Sequence, residues 1–469
     1  MKSNGYNDSI VSGFAFSALF WLIIGLLVGL LIAAQMFMPA LNLAPWLAFG
    51  RLRVVHTNGL GFGFGLAGIF ACVYYMLQRL TKTPIAFPRL ARFHLYFFNI
   101  AIALAALSLF AGMNTSKEYA ELEWPLDIAV VVMWVIFAIN VFGTLIKRKE
   151  GQMYISLWFI IAMTVAVAVL YIVNNLEVPV SWFKSYSIYS GANDANVEWW
   201  YGHNVVGSVF TFPILAMFYY FLPKSTNLPI YSHRLSIISF WSLLFAYLWT
   251  GAHHLMFSPL PEWIQTVAIA FSIFMIAPSW GSVVNGYYTM QGNWDQMRSN
   301  YLVKFFMFGI TFYGLQTIQG PAQGLRTLTS FFHYTDWVIG HVHMGTMGWV
   351  TMIISASLYY MIPKIFNTEV YSVKLANLHF WLILIGQLLF TVTMWIAGIQ
   401  QGAMWKATNE DGSLTYSFLE TVAAMYPYWK IRFVGGLVYF AGIVVFAYNL
   451  IMTARRARAR APEAAPRSA

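Results

Sequence analysis

The 469-residue chain predicts an all-α polytopic membrane protein, a bundle of twelve transmembrane helices. Three observations carry that expectation. The chain is 59% hydrophobic and 9% charged, against roughly 25% charged in an average soluble domain. Its mean hydropathy is +0.63. Apolar runs of roughly 18 residues or more recur throughout, each long enough to cross a hydrocarbon core. Their apolar residues go all the way round instead of alternating, so helices are expected and barrel strands are not. The net charge of +10 reads as the cationic bias of cytoplasmic loops, not as a nucleic-acid footprint. The single cysteine, Cys72, supports neither a disulfide framework nor a thiolate metal site.

The spans are expected near 14–38, 54–78, 94–113, 126–146, 154–174, 198–222, 234–258, 263–289, 302–325, 333–362, 376–399 and 431–453. The first is too long for the core of a cleavable signal peptide and stays in the protein. Alternate loops are basic: Arg79, Lys82, Arg89 and Arg92, then Lys147-Arg148-Lys149, then Lys224 and Arg234, then the tail from Arg455 to Arg460. The loops between them carry Glu118, Glu121, Glu123 and Asp127, then Asp194 and Glu198, then Glu410 and Asp411. That alternation puts both termini in the cytoplasm. Residues 1–13 form a cytoplasmic N-terminus, 14–453 the helical domain, and 454–469 a basic tail whose Arg, Ala and Pro content predicts disorder. No short-period repeat and no half-to-half similarity is found. Arg51 and Arg53 break the charge alternation; they are a local anomaly or partners for buried anions such as haem propionates.

The placement of the ten histidines is informative. His341 and His343 lie inside an apolar span, where polar side chains are costly and usually functional. At about 100° per residue they point about 200° apart, so they cannot share one metal but can serve two cofactors on either side of one helix. Imidazole is the commonest axial ligand of haem iron. His56, at the outer end of the second span, can complete a six-coordinate iron with one of them. His253 and His254 are adjacent in the seventh span, and His203 in the sixth completes a three-nitrogen site suited to copper, zinc or iron. Tyr247, seven residues before His254, is expected on the same helical face, either as core packing or as a donor of a proton and an electron. No carboxylate lies four residues after His203; that position is Gly207. His94, His233 and His379 sit at the ends of spans on the basic side and are expected to be structural or at the surface.

These residues together resemble subunit I of the haem–copper terminal oxidases, specifically the cbb3-type cytochrome c oxidases. The resemblance rests on His56, Trp199-Trp200-Tyr201-Gly202-His203-Asn204, His253-His254 and Gly340-His341-Val342-His343. Further stretches agree: Phe49 to Arg53, Lys117 to Pro125, Ala277 to Gly281, and His333 to Trp337. It implies that His56 and His343 ligate a low-spin haem b, His341 a high-spin haem b, and His203, His253 and His254 the copper facing it. It also implies that Tyr247 is the redox-active tyrosine linked to His203. Arg51, Arg53 and His333 would meet haem propionates, Glu118 would bind calcium, and Ser236 and Tyr313 would lie on one proton path from the cytoplasm. The expected activity is four-electron reduction of dioxygen to water, coupled to proton translocation across a bacterial inner membrane. The expected partners are mono-haem and multi-haem c-type cytochrome subunits, with soluble or membrane cytochrome c as donor. Two positions depart from the pattern: Gln319 stands where an acid is usual, and Glu198 where an amide is. Neither is expected to touch a metal ligand.

Two rival readings remain. A nitric oxide reductase on the same fold would place a glutamate four residues after the first triad histidine and would lack the linked tyrosine, so Gly207 and Tyr247 oppose it. A twelve-helix secondary transporter tends to show internal repeats and broken helices at its substrate site.

Overall fold

The computed structural model describes residues 5–43 and 45–460. Eleven of its helices are long and apolar enough to cross a membrane. In order these are α1 (Asp8–Gln35), α2 (Phe49–Thr81), α3 (Pro88–Ala111), α4 (Trp124–Ile146), α5 (Ile155–Asn174) and α6 (Gly191–Thr226). After a broken rod, α7, come α8 (Glu262–Thr289), α9 (Tyr301–Gly324), α10 (Asp336–Ile365), α11 (Val373–Lys406) and α12 (Phe418–Arg460). The expected seventh span is α7: an α-helix over His233–Tyr247, then a turn, then a 3-10 segment over Gly251–Leu255. Its pieces rise about 23 Å and about 10 Å, so together they still cover a hydrocarbon core. The break is seated on α6: a Cβ on Gly251 would lie 2.6 Å from the Trp199 carbonyl oxygen. Only glycine lets the two backbones approach so closely.

Three differences from the sequence reading stand out. A two-stranded antiparallel hairpin, β1 (Glu177–Ser181) with β2 (Lys184–Ser187), joins α5 to α6 in an otherwise helical molecule. Its Val178, Val180 and Tyr186 suit a strand better than a polar loop. Helix begins at Asp8, inside the expected N-terminal extension of 1–13. At the other end α12 continues through Arg460, so 454–460 is helical where disorder was expected; Ala and Arg are good helix formers. Residues 1–4 and 461–469 of those two terminal segments lie outside the described residues.

The chain also repeats itself three times, at a spacing too long to show as a short period. Tyr74-Tyr75, Tyr219-Tyr220 and Tyr359-Tyr360 end α2, α6 and α10, each followed by a basic residue at Arg79, Lys224 or Lys364. Eight residues beyond the first tyrosine of each pair, Lys82, Asn227 and Asn367 turn the chain with φ of 52°, 58° and 48°. Four residues later again, the backbone N–H of Ala86, Tyr231 and Tyr371 donates to Thr144, Thr289 and Thr453 at 3.0, 3.0 and 2.9 Å. Each threonine belongs to the rod that packs against the next helix start: α4, α8 and α12. Asn285 and Asn449, four residues before their threonines, each grip a second backbone pair. Their side chains accept from the N–H of Ser232 and Ser372 and donate to the carbonyls of the same residues.

The rods α2, α6 and α10 share a further irregularity. Each contains a π-helical segment: Gly59–Leu66, Val206–Thr211 and Met344–Val350. His56, His203 and His341 each lie three residues before the segment begins. Such bulges re-aim the turn before them and are frequent at functional sites.

Candidate metal and haem centre

Three imidazoles converge where α6 meets the broken end of α7. The nearest ligand atoms of His203, His253 and His254 all lie within 4.8 Å of one another, the one such grouping among the described residues. His203 Nδ1 and His254 Nε2 are 3.2 Å apart. Two nitrogens sharing a tetrahedral ion at about 2.0 Å each would be separated by about 3.3 Å, so the spacing suits a metal. Ser272 on α8 fixes one tautomer: its hydroxyl donates to Ala268 and accepts from His253 Nδ1 at 2.6 Å, leaving His253 Nε2 for an ion. Trp199 stacks on His254 at 4.1 Å and holds its ring plane.

Tyr247 packs against this group, though not as helical spacing predicts. Because the α-helix ends at Tyr247, the two-turn relation to His254 does not hold, and the phenol ring lies 5.5 Å from the ring of His203. Its hydroxyl is 3.0 Å from Thr211 Oγ1. Gly207 makes room for it: a Cβ there would stand 2.7 Å from the tyrosine ring. A side chain at 207 and the observed place of Tyr247 therefore exclude each other.

On α10, His341 and His343 face opposite ways as expected. His343 stacks on Phe390 of α11 at 4.4 Å and directs Nδ1 to the Ile339 carbonyl at 2.8 Å. His56 directs Nδ1 to the Gly25 carbonyl of α1, also at 2.8 Å. In both rings the proton on Nδ1 has an acceptor, which leaves Nε2 as the neutral nitrogen a haem iron takes. His341 Nδ1 lies 3.2 Å from Gln319 Oε1. The expectation that neither departure touches a ligand candidate is thus corrected: Gln319 orients His341. Glu198 accepts from the Glu118 backbone N–H at 3.1 Å and reaches none of the histidines.

The supporting residues are more scattered. Arg51 donates to the Phe110 carbonyl at 3.1 Å, and Arg53 forms an ion pair with Glu118. His333 is half-buried, stacked on Tyr334, and burial holds its imidazole below the usual range. Glu121, beside them in the loop before α4, has its carboxyl raised by burial although Asn58 donates to it at 2.9 Å. Ser236 is buried near the start of α7, donating to the His233 carbonyl, and Tyr313 is buried against Trp349. Of the three histidines expected to be structural or at the surface, His233 is exposed, whereas His94 and His379 are fully buried.

One charged group escaped the sequence reading. Arg432 on α12 is buried, with Nη1 3.2 Å from Met36 Sδ, 3.9 Å from Asp336 Oδ1, and its guanidinium over Phe390 at 5.1 Å. Its Nε has no partner among the described residues. Trp429 donates to the other oxygen of Asp336 at 2.8 Å. The available signal was position: Arg432 lies just inside the last span.

Comparison with known proteins agrees with this geometry. The sequence profile of cytochrome c and quinol oxidase polypeptide I matches residues 9–438. The cbb3-type cytochrome c oxidase subunit CcoN1 of Stutzerimonas stutzeri is 46% identical over 458 residues, covering 97% of both chains. A cytochrome c oxidase subunit 1 homolog of Agrobacterium tumefaciens is 42% identical, covering 96% of this chain and 84% of that one. A nitric oxide reductase polypeptide of Stutzerimonas stutzeri is far more distant, at 22% identity over 90% of this chain and 88% of its own. A haem–copper terminal oxidase dimer solved by cryo-electron microscopy shares the fold, with a TM-score of 0.79, 18% identity, and coverage of 97% of this chain and 85% of that one.

Proposed function

This chain belongs to the cytochrome c and quinol oxidase polypeptide I family, and we propose how its own residues divide the work of a cbb3-type terminal oxidase. It is a multi-pass bacterial membrane protein and the catalytic subunit of an oxidase that uses haem and copper to reduce dioxygen to water. The observation that carries the reading is the group of His203, His253 and His254 with Tyr247 against it in the space left by Gly207. Nitric oxide reductase needs a carboxylate where this chain needs empty space.

In this reading His56 and His343 hold a low-spin haem b, His341 holds a high-spin haem b, and the triad holds copper. When bound, those groups supply the dioxygen site and most of the electrons. Gly25, Ile339 and Gln319 fix the tautomer and orientation of the three haem-facing imidazoles, and Ser272 does the same for His253. Tyr247, held between His203 and Thr211, supplies one proton and one electron. Arg51, Arg53, His333 and the unforeseen Arg432 meet the haem carboxylates, the buried Arg432 being supported by its orphaned Nε. Glu118 is the proposed calcium ligand, sharing that role with its ion pair to Arg53.

Protons enter from the cytoplasmic side past Ser236 and Tyr313. Supporting this, the hydroxyls of Tyr219, Ser239, Ser279, Ser282 and Tyr313 are buried in the wedge between α6, α7, α8 and α9 with no hydrogen bond within 3.5 Å among the described residues, Tyr219 facing Ser282 and Tyr313 facing Ser279. Buried hydroxyls in that state are normally satisfied by water, and a chain of waters conducts protons. Mono-haem and multi-haem c-type cytochrome subunits deliver electrons at the acidic face, with cytochrome c as their donor.

The test is pigment and metal content of the purified complex. About two b-type haems and about one copper per copy of this chain are expected. A colourless chain ends the reading, and non-haem iron replacing copper transfers it to nitric oxide reduction. In a pigmented complex, Tyr247→Phe should keep haem and copper but lower oxygen consumption by about two orders of magnitude, the scale on which a positioned proton donor contributes.

A further inference from the structure

The three repeats bring equivalent positions to equivalent places, and their side chains differ in one consistent way. Twenty residues beyond the first tyrosine of each pair stand His94, Ser239 and His379. Seven residues before the clamping threonines stand Phe137, Ser282 and Phe446. The first and third repeats therefore pair histidine with phenylalanine where the middle repeat pairs serine with serine.

In the first repeat the His94 ring is enclosed by Phe70 at 4.6 Å, Phe14 at 5.0 Å and Phe137 at 5.9 Å; its Nδ1 meets the Tyr74 hydroxyl at 3.0 Å and its Nε2 has no partner among the described residues. In the third, His379 stacks on Phe446 at 4.6 Å, with Phe305 at 5.0 Å and Tyr359 at 5.8 Å, and both its ring nitrogens lack partners among the described residues. Both histidines are fully buried. A chain of water molecules needs polar partners along its length and room beside them. The ring nitrogens are polar, but aromatic rings on several sides leave no room beside them for a continuous file of water. In the middle repeat the same two positions present small hydroxyls, and Gly281 faces Ser239 where the other repeats have Ile136 and Val445.

We propose that His94 with Phe137 and His379 with Phe446 are plugs that seal the first and third repeats against water, and that Ser239 and Ser282 leave the middle repeat as the one entrance for protons. The histidines then act by filling space, not by carrying protons. This rests on the reading that protons pass Ser236 and Tyr313.

The experiment transplants the plug in the assembled complex, as Ser239→His with Ser282→Phe. Haem and copper content and reduction of the low-spin haem should match the parent, while turnover and proton uptake fall at least about tenfold. Ser282→Phe alone carries the same expectation if the double variant does not assemble. His94→Phe and His379→Phe, each keeping the space filled, should turn over and take up protons at the parent rate. Normal turnover in the transplanted enzyme overturns the proposal. So does a slowed His94→Phe or His379→Phe enzyme with intact haems, because those histidines would then be conducting. Tyr313→Phe in the same assay separates the two levels: if it is as fast as the parent, the route itself lies elsewhere.

Discussion

Gly207 and Gly29 show how much of this chemistry depends on side chains that are missing. At 207 the bare backbone admits the Tyr247 ring, and any side chain there would displace it. At 29, in α1, a Cβ would stand 2.7 Å from His56 Nδ1. The ring has little room to retreat, because Nδ1 is already committed to the Gly25 carbonyl one turn away. Gly29→Ala should therefore tilt the His56 imidazole and shift the absorption band and midpoint potential of the haem proposed to bind it. Carbon monoxide binding to the haem proposed for His341, on another rod, should be unchanged. If both haems move together, the assignment of His56 to one of them is wrong.

At the scale of elements, the recurring device is a helix start clasped by an amide and a hydroxyl from a neighbouring rod. Asn285 satisfies both backbone groups of Ser232, and Thr289 satisfies the N–H of Tyr231. The start of α7, the rod that carries Tyr247 and two triad histidines, is thereby fixed against α8. Asn285→Ala leaves two partly buried backbone groups unpaired at about 1–3 kcal/mol each, so a loss of about 2–6 kcal/mol is expected. The equivalent Asn140 bonds only within its own helix, to the Ile136 carbonyl, and its Oδ1 has no partner among the described residues. Asn140→Ala should cost clearly less. Thermal unfolding of the two variants in one detergent compares them directly; equal losses would mean that the clasp is not what stabilises the helix start.

For the whole molecule, three repeats of a shared helical pattern differ in their polar positions. The histidines proposed to serve metal or haem stand one turn before the π-helical segment of each: His56 in α2, His203 in α6, and His341 in α10, with His343 beside it. The alternation of basic and acidic loops gives the bundle a direction, and an even number of crossings, counting the broken α7, returns the chain to its starting side. Fusions at the C-terminus test that. A fluorescent protein should be bright and alkaline phosphatase inactive, both as expected for a cytoplasmic end; the reverse pattern would turn the molecule over and move the proton entrance to the other face.

Much of the site was legible along the chain. Histidines in apolar spans are expensive enough to be informative singly, and the separation of His341 from His343 follows from helical geometry alone. The partner of Tyr247 was not legible by spacing, because counting turns assumes an unbroken helix and α7 breaks directly after that residue. The contact of Gln319 with His341 joins residues on two rods, and no periodicity within either reports it. Arg432 went unremarked along the chain, and packing buries it beside Asp336 and Phe390. His94 and His379 looked peripheral by position, and the rings brought from other helices made them interior. Local sequence determined which segments cross the membrane and which side chains are available to bind metal, since both depend on composition and on geometry within one helix. The tertiary structure alone decided which of those side chains meet, because that depends on how separate helices pack and where one of them breaks.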